Sequence, residues 1–267
     1  MEINRSNIFE ILSKTDIRPD KDYGQNFLLE PEIAKSIVNI LEIKKEESVL
    51  EIGPGLGSLT HFLSLNVANL TVCDIDIRMI DFLKIIYKEN VNYINDDIRK
   101  IDVSNYDRII GNLPYNITTE LVEFLLLNAK KAKKMVLMIQ LEAFNRFYKL
   151  EGEDYGAISV LTHLMCNVEK HFMVKPGSFH PVPKCKSVVF TLTRKEETDY
   201  DSIVGTYKLA KSLFLNRRKT IYNNLKNYLG NADKASELLS KLNLDPLLRP
   251  ENIKPEIYFQ MYRLIQK

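Results

Sequence analysis

The 267 residues, 45% hydrophobic and 27% charged, suffice for one large soluble core plus a smaller appendage, and no apolar run approaches the length of a membrane span. Met1-Glu-Ile-Asn-Arg is no signal peptide, and Cys73, Cys166 and Cys185 are odd in number and scattered, so the expected setting is the cytoplasm, without a disulfide framework. The net charge of +2 hides an asymmetry: residues 200–267 carry 12 Lys/Arg against 6 Asp/Glu, and the first 199 carry 25 against 29.

Residues 1–21 read as a polar lead-in with a short helix around Ile8 to Leu12. Tyr23-Gly-Gln-Asn-Phe-Leu28 follows, and Pro31 opens a helical pattern with Ile33, Ala34, Ile37, Val38 and Leu41 on one side. The amides of Gln25 and Asn26 are either plain loop groups or contacts to a ligand. From Ser48 onward, short strands at 48–52, 70–74, 91–94, 107–111 and 135–140 alternate with helices at 58–65, 76–87, 117–128 and 142–149. Such alternation predicts a parallel sheet with right-handed crossovers and ligands beyond the carboxyl ends of its strands.

The stretch Val49-Leu-Glu-Ile-Gly-Pro-Gly-Leu-Gly57 is an apolar strand that stops at glycines 53, 55 and 57. Strand, glycine turn and helix together open a doubly wound nucleotide site, although a bare tight turn shares the glycines. Glu51 sits just before that turn, where an amino group can be held, and Asp74 ends the next apolar run, about twenty residues on, where an acid can bind both hydroxyls of a ribose. Asp97 and Asn112 fall at the same sheet rim.

Gly111-Asn-Leu-Pro-Tyr115 is the most specific signal. Asn112 presents an amide oxygen, Pro114 fixes the turn so that the Leu113 carbonyl can point the same way, and Tyr115 offers a flat face for a base. Two acceptors gripping the N–H groups of an exocyclic purine amine favour a pyramidal nitrogen with a free lone pair. An ordinary β-turn is the competing reading.

Strand patterns at 165–174 and 187–193 lack a helix between them and predict an antiparallel pair at a sheet edge. A charged linker at 194–201 then leads to helices at 203–215, 217–229, 234–242 and 255–266. Between Ser202 and Ala232 there is no acid, while Lys208, Lys211, Arg217, Arg218, Lys219 and Lys226 accumulate. Such a cluster suits a polyanion, or is simply a solvated helix face. The four histidines show no metal-ligand spacing, and no metal is expected.

The chain resembles the ribosomal RNA adenine dimethylases. Gln25-Asn-Phe-Leu28, the glycine turn with Asp74, Asn112-Leu-Pro-Tyr115, Phe179-His-Pro-Val-Pro183 and Phe214-Leu-Asn-Arg-Arg-Lys-Thr220 follow that family's order. The last of these, with Leu248-Arg-Pro-Glu251, favours the branch acting on small-subunit rRNA over the antibiotic-resistance branch acting on large-subunit rRNA. The resemblance implies a Rossmann-like class I methyltransferase sheet with an antiparallel edge strand at 1–198, and a small all-helical rRNA-binding domain at 199–267.

It further implies S-adenosyl-L-methionine as cofactor, on Asn26, Leu28, Glu51, Gly53, Gly55, Asp74, Ile75, Asp97, Ile98 and Asn112. Catalysis would involve Asn112, Leu113, Pro114, Tyr115 and Phe179, with Phe179 stacking on the target base opposite Tyr115. Lys211, Arg217, Arg218 and Lys219 would meet rRNA in an immature 30S-type subunit, the protein acting as a monomer away from membranes. Glu151 and Glu153 depart from the family's usual basic or small residues and put the RNA contacts of their loop in doubt. The rival readings are a large-subunit rRNA methylase, an rRNA-binding assembly factor with secondary methylation activity and, more remotely, a NAD-dependent dehydrogenase.

Overall fold

A computed structural model of the chain describes residues 1–15, 17–20, 23–87, 90–114, 117–196 and 199–266. Its contacts divide it into two units, residues 1–143 with 169–193, and residues 144–168 with 194–267.

The first unit opens with helix α1 (Ile8–Thr15), the two-residue strand β1 (Phe27–Leu28) and helix α2 (Pro31–Ile40). Strand β2 (Ser48–Ile52), helix α3 (Thr60–Asn66), strand β3 (Asn69–Asp74), helix α4 (Ile77–Ile86) and strand β4 (Val91–Asn95) follow in the expected alternation. Next come β5 (Arg108–Asn112), α5 (Thr118–Asn128), β6 (Lys134–Gln140) and α6 (Leu141–Tyr148). Beyond α7 (Ala157–Met165) lie β7 (Cys166–Val174), β8 (Phe179–His180) and β9 (Ser187–Arg194).

The main sheet runs β4-β3-β2-β5-β6-β9-β7. Its strands from β4 to β6 pair in parallel, whereas β9 runs antiparallel to β6. Ile52 lies opposite both Cys73 and Gly111, and Asp74 lies opposite Asn95, so the carboxyl ends of four strands share one rim. Gly111 permits that register, because a Cβ there would come within 2.7 Å of the Ile52 carbonyl oxygen. β1 and β8 form a separate antiparallel pair that sets Leu28 against Phe179.

Two features escaped the sequence reading. The lead-in is no polar appendage, since Ile3, Ile8, Ile11 and Ile17 are buried in the core of the first unit. Helix α7 went unpredicted, and it packs with α8 (Tyr200–Phe214) and α11 (Pro255–Ile265) in the second unit. The segment 144–168 therefore groups with the C-terminal helices rather than with the domain expected to end at 198. Tyr155 and Val160 share a core with Leu209, Leu213, Tyr258 and Met261. Helices α9 (Ile221–Leu229) and α10 (Ala232–Lys241) complete this unit. Helix α9 starts at Ile221 rather than at 217, because the Thr220 hydroxyl accepts from the Asn223 N–H and caps it.

Candidate active site

The glycine turn after β2 takes positive φ at Gly53, Gly55 and Gly57. At Gly57 a Cβ would also meet Leu83 Cδ2 at 2.7 Å, so this turn and α4 close up only over a bare backbone. Ser58 Oγ donates to the Leu28 carbonyl oxygen at 2.7 Å and ties the turn to β1. The result is a cavity along the rim, to which Asn26, Leu28, Gly53, Asp74, Asp97 and Asn112 all contribute. Glu51, Gly55, Ile75, Ile98, Leu113 and Pro114 line it too.

Three carboxylates there have distinct electrostatics. Glu51 is 1% exposed, and burial pushes its carboxyl up to about 8; the Thr60 hydroxyl, donating at 2.7 Å, works against that rise, and the neighbouring Asp74 charge adds to it. Burial likewise raises Asp74 to about 6, opposed by the Asp76 and Gly55 amides. Asp74 Oδ1 accepts from the Asp76 N–H at 3.0 Å, while Oδ2 has a long 3.4 Å contact from the Gly55 N–H. That oxygen keeps capacity for a hydroxyl donor. Asp97 lies below the ordinary range, mainly through hydrogen bonds from Arg99, whose Nη2 donates to it at 2.6 Å.

Asn112 ends β5 with its amide already oriented. Its Nδ2 donates to the Asn26 carbonyl at 3.1 Å, while its buried Oδ1 has no hydrogen-bond partner among the described residues. A buried acceptor left open costs free energy unless a ligand supplies the donor. Leu113 donates its N–H to the Met138 carbonyl at 3.0 Å, and the Pro114 carbonyl accepts from Thr118 Oγ1, at the start of α5, at 2.9 Å.

Two expectations need amending, and a third, Tyr115, lies outside the described residues. Phe179 is 1% exposed and belongs to the hydrophobic core of the first unit, so its ring presents no stacking face to a base; its backbone instead pairs with Leu28. Arg217 does not stand free for phosphate. Its Nη1 donates to the Glu153 carbonyl at 2.8 Å and its Nη2 to the Gly152 carbonyl at 3.1 Å, and its Nε lies 3.9 Å from Glu251. Lys211, Arg218 and Lys219 are exposed in the same unit. Asp76 was not foreseen in the site's framework, and Gln25, expected as a loop group or a ligand contact, bonds to it. The Asp-Ile-Arg runs at 76–78 and 97–99 were the available signal, for each aspartate accepts from the amide and the side chain of the arginine two residues on.

A family model described as ribosomal RNA adenine dimethylase matches residues 16–267. The ribosomal RNA small subunit methyltransferase A of Malacoplasma penetrans is 37% identical over 256 residues, covering 94% of this chain and 93% of its own. Its namesake from Geobacter metallireducens is 34% identical over 262 residues, with 92% and 95% covered. The crystal structure of a dimethyladenosine transferase from Plasmodium falciparum matches with a TM-score of 0.77 at 26% identity, covering 90% of this chain and 97% of that one.

Proposed function

The chain belongs to the ribosomal RNA adenine dimethylase family, and from that membership we propose that it methylates N6 of two adjacent adenosines in a hairpin loop of small-subunit rRNA. We propose S-adenosyl-L-methionine as the methyl donor; when bound, it supplies an electrophilic methyl on a sulfonium. The residues present fit that cofactor. A bare-backbone turn lines the cavity, Asp74 Oδ2 retains capacity for a ribose hydroxyl, and the buried Glu51 can receive an ammonium group. On this reading Ile75 and Ile98 flank the adenine and Asp97 accepts from its amine.

The observation that carries the proposal is the unpartnered Asn112 Oδ1. An adenine amine must give up conjugation of its lone pair to attack. Asn112 Oδ1 and the Leu113 carbonyl, accepting its two N–H groups, hold the nitrogen pyramidal and stabilise the positive charge that develops on it. Preorganised acceptors of this kind need no strong base, and the proton leaves to water afterwards. Adenosines in a hairpin loop reach such a pocket at modest unstacking cost. The helical unit, through Lys211, Arg218 and Lys219, would hold an immature 30S-type subunit in the cytoplasm, with the protein acting as a monomer. No described helix is long and apolar enough to cross a membrane.

The test is single-turnover methylation of 30S-type subunits that lack dimethyladenosine, beside naked large-subunit RNA. Dimethyladenosine on the small-subunit rRNA alone is expected, and label confined to large-subunit RNA would reject the assignment. Asn112→Ala should slow transfer about 10²-fold or more, the scale of losing one preorganised electrostatic contact, with RNA affinity retained. Transfer at the wild-type rate would refute the role given to this amide.

A further inference from the structure

The acceptor at Asn112 depends on which way its amide is turned. With Nδ2 bonded to the Asn26 carbonyl, Oδ1 is the atom left for a donor. Rotated by half a turn, the same amide would offer N–H groups to an amine that needs acceptors. The Asn26 carbonyl therefore selects the working orientation.

The residue before Asn26 is itself held in place by three hydrogen bonds. Gln25 Nε2 donates to Asp76 Oδ2 at 2.8 Å, and Gln25 Oε1 accepts from the Asp20 N–H at 2.9 Å. The Gln25 N–H donates in turn to the Asp20 carbonyl at 3.1 Å. Asp76 makes a rigid anchor: it is 4% exposed, caps α4 and accepts from Arg78 Nε and Nη2 at 2.9 and 2.6 Å. The Gln25 amide is thus engaged at both ends within the protein.

We infer that Gln25 is a positioning residue for methyl transfer: clamped to Asp76, it sets the Asn26 carbonyl that turns the Asn112 amide oxygen toward the target nitrogen. This rests on the role proposed for Asn112. Residues 25, 26, 76 and 112 form one relay, in which the last meets the target base. An amide side chain at 25 matters here because it both donates to a carboxylate and accepts from a backbone N–H.

Two measurements test the relay. The first uses the free protein: the Asn112 side-chain amide signal in a proton–nitrogen spectrum, assigned by its loss in Asn112→Ala. In Gln25→Ala this signal should shift and its protons should exchange faster with water. Gln25→Glu should do the same by setting two carboxylates together. An unchanged Asn112 signal in folded Gln25→Ala would overturn the inference.

The second is single-turnover methylation of 30S-type subunits lacking dimethyladenosine. Gln25→Ala should slow transfer about tenfold or more, with RNA affinity unchanged. In an Asn112→Ala background the same change should cost less than about twofold, since coupled residues are non-additive. Equal losses in both backgrounds would show a general structural role and reject the relay. Should the wild type leave these subunits unmethylated, the proposed function fails, and the amide signal still decides the relay.

Discussion

Burial sets the Glu51 carboxyl at about 8 against an ordinary value of 4.5, and this makes stability depend on pH. Below the ordinary value the group is protonated in both states. Between about 4.5 and about 8 the folded protein retains a proton that the unfolded chain has lost, so the stability this group contributes falls as pH rises through that window. Glu51→Gln should flatten the decline, by an amount on the order of 5 kcal/mol across the window, as read from urea unfolding at a series of pH values. An equally steep decline in the variant would show that Glu51 is not the group responsible. Burial raises Asp74 as well, to about 6, so its charged form is held at a stability cost. Asp74→Ala should weaken S-adenosylmethionine binding at least about tenfold by calorimetry, since charged hydrogen bonds are worth roughly 1.5–3 kcal/mol. Unchanged affinity in the folded variant would remove Asp74 from the cofactor site.

At the level of elements, Phe179 illustrates a residue whose part is set by pairing rather than by its neighbours in sequence. Its ring lies in the core, and β8 ties β1 to the site by two residue pairs. Phe179→Ala should therefore cost about 3–5 kcal/mol of stability, the range for emptying a buried aromatic site. Circular dichroism can follow the melt, since the chain has no tryptophan. A variant as stable as wild type would restore the base-stacking reading. The parallel strands β2, β3 and β5 were legible because each is a short apolar run that stops at a glycine or polar residue, and Gly53, Asp74 and Asn112 followed from those ends. The β1–β8 pair was not, because two residues form no periodic pattern and their partners lie some 150 positions apart. Nor does sequence reveal that Ile3, Ile8, Ile11 and Ile17 share one buried face, with polar residues crowding between them. Asn112 was recognisable as a site residue, but the bond that orients it joins positions 86 residues apart.

Across the molecule, charge is divided between the two units. Residues 144–168 and 194–267 together hold 16 Lys/Arg against 12 Asp/Glu, and the remainder holds 21 against 23. The basic excess alone does not say which cations meet RNA, but the hydrogen bonds narrow the choice. Arg217 is joined to the carbonyls of the loop that carries Glu151 and Glu153; Lys211, whose Nζ lies over the Tyr207 ring at 5.2 Å, and Arg218 and Lys219 are exposed. Replacing those three together by alanine should weaken rRNA binding and flatten its salt dependence, each lost phosphate contact removing about 0.7–0.9 from the log–log slope. Arg217→Ala should behave differently: it leaves two backbone carbonyls without their donor, so the melting temperature should fall while the salt slope stays near wild type. Cofactor affinity should survive in both proteins, because none of the four residues lines the cavity. Binding isotherms from about 50 to about 200 mM salt separate the two effects. If Arg217→Ala flattens the slope as the triple variant does, Arg217 leaves its loop to meet phosphate. If the triple variant keeps the full slope, these cations are a solvated face and the RNA is held elsewhere.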